Sequence, residues 1–353
     1  MDLRSVSAWT TGYALLAAVL VGLVAHKALL RLADRLLEAI DSAIERIRAP
    51  RTRSAVAAFL LLSPALAILG LFGVVPLVYA VRISLFDTRR DIFVGAGNYA
   101  RAWGDPEFWR SLSVTLYYAL GTIPLTLAIS FCVAWLLHRA ARGRGFLRTA
   151  YFLPYVTSAV AAATVWRVLL RPRSGFVNVM LDAIGLPMQD WLLEQRGVLH
   201  ILTQGWIPPG VGPSLALCCI MAFDIWHASG FTIVIFLAGL TAIPRELMEA
   251  AVLDGAGPLQ VLRRVVLPLL SPTIFFLAVV SGIRAFQSFN SFYALTNTSR
   301  GADTQNLVIY IFAQLYESQR YGYGAAVATL LCAAIVALTI IQWRYVGRRV
   351  HYE

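Results

Sequence analysis

The chain contains few charged residues and a single lysine, and these shortages exclude several classes of protein. Only 14% of its 353 residues are charged, whereas 59% are hydrophobic. A soluble domain could not bury that much apolar surface, so the composition indicates a helical protein with several membrane spans. The only lysine, Lys27, lies in AHKAL. Because a P-loop requires GxxxxGK followed by Ser or Thr, the sequence predicts no ATPase site in this chain.

Cysteine and catalytic motifs are also scarce. The four cysteines, Cys132, Cys218, Cys219 and Cys332, lie in apolar segments without a CxxC pair or a histidine at ligand spacing. They are predicted to pack as small apolar side chains, and no metal site is expected. Neither GxSxG nor HExxH occurs, so no catalytic residue is predicted. The net charge of +11 comes from arginines at the ends of apolar segments, which is typical of membrane orientation rather than of nucleic-acid binding.

Long apolar segments are abundant. A spanning helix needs about 20 apolar residues, and seven segments meet this length, so the predicted fold class is all-α and polytopic. The predicted spans are 8–30, 55–83, 112–137, 149–170, 215–240, 269–295 and 323–343. Four arginines in 138–148 and three after residue 343 indicate cytoplasmic segments. The N-terminus is therefore predicted outside and the C-terminus in the cytoplasm.

The N-terminal region, residues 1–54, is predicted to be separate from the main membrane domain, residues 55–353. After the first span, residues 29–48 alternate charged and apolar side chains at helical spacing. This pattern predicts an amphipathic helix on the cytoplasmic membrane surface, with a coiled-coil contact as the alternative.

A polar segment, residues 243–268, separates the fifth and sixth predicted spans. Pro244 and Glu246 suit the first turn of a helix, and Gly255 suits the left-handed residue that ends it. Gly257-Pro258 then starts a second short helix, and the first helix is predicted to have an apolar face that includes Leu247. The segment is too short and too polar to cross a bilayer, so it is predicted to contact a partner.

This segment resembles the EAA loop of ATP-binding-cassette importer permeases. Glu249-Ala250-Ala251 is followed after three residues by Gly255, and nine residues later by Val265-Val266-Leu267-Pro268. The EAAxxDGA form matches the sugar-type branch. The resemblance implies a type I importer permease fold in which this loop is a cytoplasmic coupling helix that docks on an ATPase. The residues that it assigns to ATPase coupling are Glu249, Ala250, Ala251, Asp254, Gly255, Leu267 and Pro268.

The resemblance extends over most of residues 55–350. LRTAYFLPY, VWRVLLRPRSGFVN and YGYGAAVA resemble sugar-type importer subunits, and the closing IQWRYVGRRVHYE resembles subunits that import glycerol phosphate. One departure is residues 297–301, where many relatives have Gly-Gly-Pro. The resemblance implies a bacterial inner membrane location, a second homologous permease, two ATP-binding subunits and a periplasmic or lipid-anchored solute-binding protein. It implies no cofactor in this chain, since ATP and Mg are used by the ATPase partner.

Polar residues within the spans are candidates for a solute pathway, because ionisable groups at membrane depth are costly. Asp224 and His227 share a stripe of the fifth span, and Arg284 lies on the sixth. Aromatic faces suit sugar rings, and carboxylate, amide and guanidinium groups suit hydroxyls or phosphate. The predicted lining is Trp166, Asp224, Trp226, His227, Arg284, Gln287, Asn290 and Ser291.

Structural alternatives remain open for several of these residues. Asp224 and Arg284 could form an ion pair that fixes helix packing, His227 could be an ordinary hydrogen-bonded interior histidine, and both tryptophans could be packing or interface anchors. A neutralised Arg284 favours a neutral sugar or polyol, whereas a free one favours an anionic solute.

The sequence thus predicts the permease subunit of an ATP-driven importer for a sugar, polyol or glycerol-phosphate-like solute. The alternative is an ion-coupled secondary transporter, which predicts inverted repeats and broken helices around a midplane site. No such repeat is evident in the sequence.

Overall fold

The computed structural model describes residues 50–139, 143–203, 205–208, 212–296 and 302–345. The predicted span 8–30, the amphipathic helix 29–48 and the departure at 297–301 lie outside these described residues. The described chain is almost wholly helical, which confirms the predicted all-α class.

Sixteen α-helices, numbered here in chain order, make up the described residues. Helices α1 to α6 are Pro50–Leu69, Val75–Ser84, Gly97–Trp103, Pro106–Arg139, Arg144–Val156 and Ala159–Leu169. Helices α7 to α12 are Phe176–Ala183, Val198–Leu202, Leu215–Ala242, Arg245–Leu253, Pro258–Val261 and Leu267–Leu269. Helices α13 to α16 are Ser271–Phe286, Asn290–Thr296, Leu307–Phe312 and Tyr321–Tyr345.

Short irregular elements join these helices. The π-helical turns are Gly70–Val74, Leu262–Val266 and Ala313–Glu317, and a 3-10 turn covers Ala302–Thr304. Two antiparallel strands, β1 (Phe86–Asp87) and β2 (Ile92–Phe93), form a hairpin after α2.

The chain divides into two compact units, one up to Tyr79 and the other from Ala80 onward. The described part of the first unit is a helix from Pro50, with a π-helical turn near its middle. Its large apolar side chains are exposed, including Phe59 at 66% and Phe72 at 74%. Such an apolar surface suits contact with lipid.

Four helices of the described residues are long and apolar enough to cross a membrane. They cover Leu61–Ser84, Pro106–Arg139, Leu215–Ala242 and Tyr321–Tyr345. Two bent pairs raise the number to six if each pair is one span. Because the first predicted span lies outside the described residues, the total of seven stays a prediction.

The predicted fourth and sixth spans are not straight helices. Helices α5 and α6 meet at 94°, and the helix that ends at Leu269 meets α13 at 65°. Pro154 lies within α5 and Pro272 in the first turn of α13, and prolines cannot donate the backbone hydrogen bond that keeps a helix straight. The sixth span is further divided between α13 and α14, so its predicted continuity to residue 295 is wrong.

The second unit has its core around α9, which packs along α4 and α5. A Cβ at Gly230 of α9 would lie 2.6 Å from the Tyr151 backbone oxygen of α5. Glycine therefore allows these two helices to approach more closely than any other residue would. One buried apolar cluster surrounds Phe223 and Phe292, and a second surrounds Phe236 and Val266 near the predicted coupling segment.

Hydroxyl–carboxylate contacts tie together the ends of three helices. The side-chain hydroxyls of Tyr310 and Tyr323 donate hydrogen bonds to Asp105 Oδ2 at 2.6 and 2.7 Å. Asp105 Oδ1 accepts a hydrogen bond from the Glu107 backbone N–H at 3.0 Å. One carboxylate thus connects the start of α4 with α15 and α16.

Candidate functional site

A cavity of about 280 Å³ lies within the second unit, between α4, α9 and the two pieces α13 and α14. Six of the eight residues predicted for the solute pathway line it. They are Asp224, His227, Arg284, Gln287, Asn290 and Ser291. The cavity therefore brings together polar groups from the fifth and sixth predicted spans.

Asp224 is held by hydroxyl groups from two other helices. Tyr118 of α4 and Ser291 of α14 donate hydrogen bonds to Asp224 Oδ2 at 2.6 and 2.7 Å. Ser288 lies 3.0 Å from the Ser291 hydroxyl and accepts a hydrogen bond from Tyr118 at 3.4 Å. The break between α13 and α14 presents both serines to the carboxylate. These donors offset the cost of placing a carboxylate at membrane depth.

Arg284 lines the same cavity but makes different contacts from Asp224. Within the described residues, ion pairs join Arg110 to Asp303 and Arg196 to Glu194, and none joins Arg284 to Asp224. A direct Asp224–Arg284 ion pair is therefore not formed among the described residues, although the two charges interact electrostatically. The guanidinium carbon of Arg284 instead lies 5.5 Å from the centre of the Tyr155 ring. Arg284 thus lines the cavity with an aromatic contact and without a direct ion pair to a described carboxylate.

The two tryptophans of the predicted pathway do not line the cavity. Trp166 packs edge-on against Phe223 at 5.6 Å between ring centres, and Trp226 lies 5.7 Å from Trp166. His227 stacks on Phe223 at 5.8 Å and does line the cavity. Its Nε2 lies 3.3 Å from the Thr157 backbone oxygen, at the bend between α5 and α6. The tryptophans therefore belong to an aromatic packing cluster beside the cavity.

Helix α4 supplies cavity residues that the sequence analysis missed. Tyr118, Thr122 and Thr126 line the cavity at intervals of four residues, so they share one helix face. The hydroxyls of Thr122 and Thr126 are buried and lack a hydrogen-bond partner among the described residues. This polar stripe inside an apolar span was the available signal, since unpaired hydroxyls at membrane depth are costly.

The segment 243–268 folds as two short helices joined by a tight turn. Helix α10 ends at Leu253, and Gly255 has a φ of +82°. The Gly257 N–H then donates a hydrogen bond to Gln260 Oε1 at 3.0 Å, in the first turn of α11. The predicted helix–turn–helix geometry is thus present, with Asp254 as the residue that ends the first helix.

The apolar residues of α10 face two directions rather than one. Met248 and Ala251 pack against the cluster around Phe236 and Val266. Leu247, Val252 and Leu253 are exposed, the last at 88%. The prediction of one apolar face was therefore too simple, because the inward face fixes the segment to the bundle and the outward face is left free.

The predicted coupling residues lie on or beside this outward surface. Glu249, Ala250, Asp254 and Gly255 are exposed, whereas Ala251 is half-buried. Leu267 and Pro268 are half-buried where the segment enters α13. Glu249 also lines a pocket of about 450 Å³ with Arg139, Arg245 and Met248.

Comparison with known proteins identifies the family of this chain. Residues 137–352 match the family described as binding-protein-dependent transport system inner membrane component. A probable ABC transporter permease protein of Pyrococcus horikoshii is 35% identical over 82% of this chain and 95% of its own length. The sn-glycerol-3-phosphate transport system permease protein UgpA of Agrobacterium fabrum is 31% identical over 74% of this chain and 83% of its own. The trehalose/maltose transport system permease protein MalF of Thermococcus litoralis is 29% identical over 84% and 95%.

Solved structures show the same fold. A chain of a bacterial alginate ABC transporter, solved with an alginate pentasaccharide-bound periplasmic protein, matches with a TM-score of 0.70. It is 20% identical, and the match covers 82% of this chain and 94% of that one. The resemblance inferred from the EAA loop is confirmed. The chain belongs to the family of inner membrane permease components of binding-protein-dependent ABC importers.

Proposed function

We propose that this chain is one of two permease subunits in an ATP-driven importer, and that its cavity holds the solute during transport. The observation that carries the proposal is the position of the segment 243–268, which joins the two helices that bear Asp224 and Arg284. Asp224 lies about 27 Å along α9 from the start of this segment, at 1.5 Å per residue. A displacement of the segment therefore moves both walls of the cavity.

The remaining components follow from this role. Two ATP-binding subunits would dock on the exposed face of α10 and use ATP and Mg, while this chain binds neither. A homologous permease would complete the pathway, and a periplasmic or lipid-anchored protein would deliver the solute. ATP binding and solute delivery each favour one of two conformations, and this difference couples hydrolysis to alternating access.

The solute is a sugar, a polyol or a glycerol-phosphate-like molecule. Relatives that transport sn-glycerol 3-phosphate and trehalose/maltose support this class. The unpaired hydroxyls of Thr122 and Thr126 suit solute hydroxyl groups. Arg284 forms no direct ion pair within the described residues, and a guanidinium that lines a cavity suits phosphate. Among these solutes the cavity therefore favours an anionic one.

The docking role can be tested at Gly255. Its φ of +82° is open to asparagine but strained for a β-branched residue, and a Cβ there would touch no other atom. Gly255→Val should therefore distort only the turn, while Gly255→Asn serves as the matched control. After detergent purification of the tagged complex, we expect the Gly255→Asn variant to retain ATP hydrolysis. The Gly255→Val variant should lose most of it.

Two results would refute the proposal. One is equal retention of ATP hydrolysis in Gly255→Val and the wild type. The other is solute uptake into proteoliposomes that needs an ion gradient and continues without ATP, as the ion-coupled alternative predicts.

A further inference from the structure

A second polar pocket, of about 160 Å³, lies far from the solute cavity. Its lining includes four arginines, Arg89, Arg90, Arg101 and Arg320, and one carboxylate, Asp87. We call this site the arginine pocket. It lies near the Pro106 end of α4, whereas Glu249 and Arg139 mark the other end of this helix. With 34 residues, α4 separates the two ends by about 51 Å.

Backbone and side-chain hydrogen bonds hold the walls of the arginine pocket in place. The Gly322 N–H donates to Thr88 Oγ1 at 3.1 Å, and the Arg89 guanidinium donates to the Ser318 backbone oxygen. Asn98 Nδ2 donates to the backbone oxygens of Ser84 and Phe86, each at 2.9 Å. The hairpin that carries Arg89 and Arg90 is thus fixed against the start of α16. The arginines converge because the fold holds them there.

Within the described residues, the positive charge of this pocket is only partly matched, because Arg101 interacts electrostatically with Asp105. Neither ion pair of the described residues includes any of its four arginines. Arg101 lies 5.1 Å from the centre of the Tyr323 ring. The side chains of Arg90 and Arg320 form no hydrogen bond within the described chain, and Asp87 Oδ1 accepts from the Arg89 backbone N–H. Because Arg89 and Arg101 already have partners, Arg90 and Arg320 are the cations that this pocket offers to an anion.

The pocket also lies beside the ends of two candidate membrane spans, which indicates a position near the membrane surface. Most of its residues follow the span that ends at Ser84, and Arg320 and Tyr323 lie at the start of the span that begins at Tyr321. On the adjacent strand, Ile92 and Phe93 are 53% and 64% exposed. Phospholipids place a phosphate beside acyl chains at this depth, and arginine binds phosphate oxygens through paired N–H groups. The apolar strand and the cationic pocket therefore match the two parts of one lipid.

We propose that the arginine pocket binds the phosphate of an anionic phospholipid, in the leaflet away from the coupling segment. Arg90 and Arg320 contact the phosphate oxygens, and the exposed strand β2 contacts the first part of the acyl chains. The bound lipid contacts both the hairpin and the start of α16.

The test measures lipid retention by the full-length chain. Wild type, the double variant Arg90→Gln/Arg320→Gln and the control Arg171→Gln/Arg173→Gln would be purified in detergent and titrated with phosphatidylglycerol. The control removes the same charge from an exposed loop between α6 and α7. Native mass spectrometry gives the bound fraction, and thermal melts check that both variants fold.

We expect phosphatidylglycerol affinity to fall about fivefold for each pocket arginine removed, with intermediate values for the single variants and no change in the control. Zwitterionic phosphatidylcholine should bind more weakly than phosphatidylglycerol. Binding of inorganic phosphate without phosphatidylglycerol would keep the phosphate chemistry but overturn the lipid source. Equal phosphatidylglycerol retention in wild type and double variant would overturn the proposal and leave acidic groups of a protein partner as the remaining ligand chemistry.

Discussion

At the scale of single residues, hydroxyl groups and an aromatic ring, rather than a direct ion pair, contact the two charges of the cavity. Asp224 receives hydroxyl donors from Tyr118 and Ser291. Arg284 contacts an aromatic face instead. This arrangement leaves one satisfied carboxylate and one available guanidinium in the same polar cavity. Whether the cavity binds an anionic or a neutral solute therefore depends mainly on Arg284.

Replacing Arg284 should change which solutes are transported. In Arg284→Gln we expect uptake of sn-glycerol 3-phosphate to fall by about tenfold or more, because a hydrogen bond to a charged group is lost. Uptake of neutral glycerol or trehalose should change little. Proteoliposomes containing the complete complex and labelled solutes provide the measurement. Arg284→Lys is the matched control, since it keeps the charge, and it should retain much of the phosphate uptake. Equal loss of charged and neutral solutes would contradict an anion-binding role.

Cavity-lining residues could be predicted from the sequence where an ionisable side chain lies within an apolar span. Asp224, His227 and Arg284 were found for that reason, and all three line the cavity. Trp166 was assigned to the wall because aromatic rings suit sugars, but it packs against Phe223. The threonines of α4 were missed because threonine is common in apolar helices. Only packing shows that Thr122 and Thr126 lack partners among the described residues.

At the scale of secondary-structure elements, local signals predicted the helix–turn–helix geometry of the segment 243–268 well. Gly255 and Pro258 determine the backbone only of the residues next to them. The turn and the start of the second helix could therefore be predicted from the sequence. Prolines mark the bends at α5 and α13, but the angles of these bends depend on packing between elements and were harder to predict. The 94° bend after α5 lies where Gly230 allows α9 to approach the Tyr151 backbone. After the break between α13 and α14, Ser291 contacts Asp224, and this contact joins residues that are distant in sequence.

The contact of Asp105 with α15 and α16 predicts a pH-dependent stability. Burial raises the pKa of Asp105, but hydrogen bonds from Tyr310 and Tyr323 and the charge of Arg101 outweigh it and leave the pKa lowered. A carboxylate with a lowered pKa stabilises the fold above its unfolded pKa, about 3.9, and this contribution is lost as the pH falls through the folded value. The connection between these helices should therefore weaken below about pH 4.

Tyr310→Phe tests this connection because it removes one donor and keeps the ring. We expect the free energy of unfolding at pH 6 to fall by about 1 to 2 kcal/mol, near the lower range for hydrogen bonds to charged groups. The difference from wild type should shrink below about pH 4, where Asp105 takes up a proton. Melting temperatures in detergent between pH 3 and 7 provide the measurement. Tyr316→Phe is the control, since Tyr316 is 68% exposed. A difference independent of pH would refute the role of the carboxylate.

At the scale of the whole molecule, charge and packing indicate two functionally different ends. The coupling segment and Arg139 lie at one end of α4, and Asp105 and the arginine pocket lie at the other. Composition predicted the membrane class, and loop arginines predicted an orientation. The arginine pocket departs from the simple rule, because it places four cations on the predicted outer side. If these arginines bind a lipid phosphate, their position reflects that contact. Counting the arginines of each loop does not then give the orientation by itself.

The predicted orientation can be tested with two exposed leucines at opposite ends. Leu253 follows the EAA sequence, and its side chain is 88% exposed. Leu202 ends α8, which lies near the start of α9, and its side chain is 74% exposed. Each would be changed to cysteine in a variant whose four native cysteines are replaced by alanine or serine. We expect a membrane-impermeant maleimide to label Leu202→Cys in intact spheroplasts, and to label Leu253→Cys only after the membrane is permeabilised. Labelling of Leu253→Cys from outside would place the coupling segment where ATP is absent, and the importer mechanism would then fail for this chain.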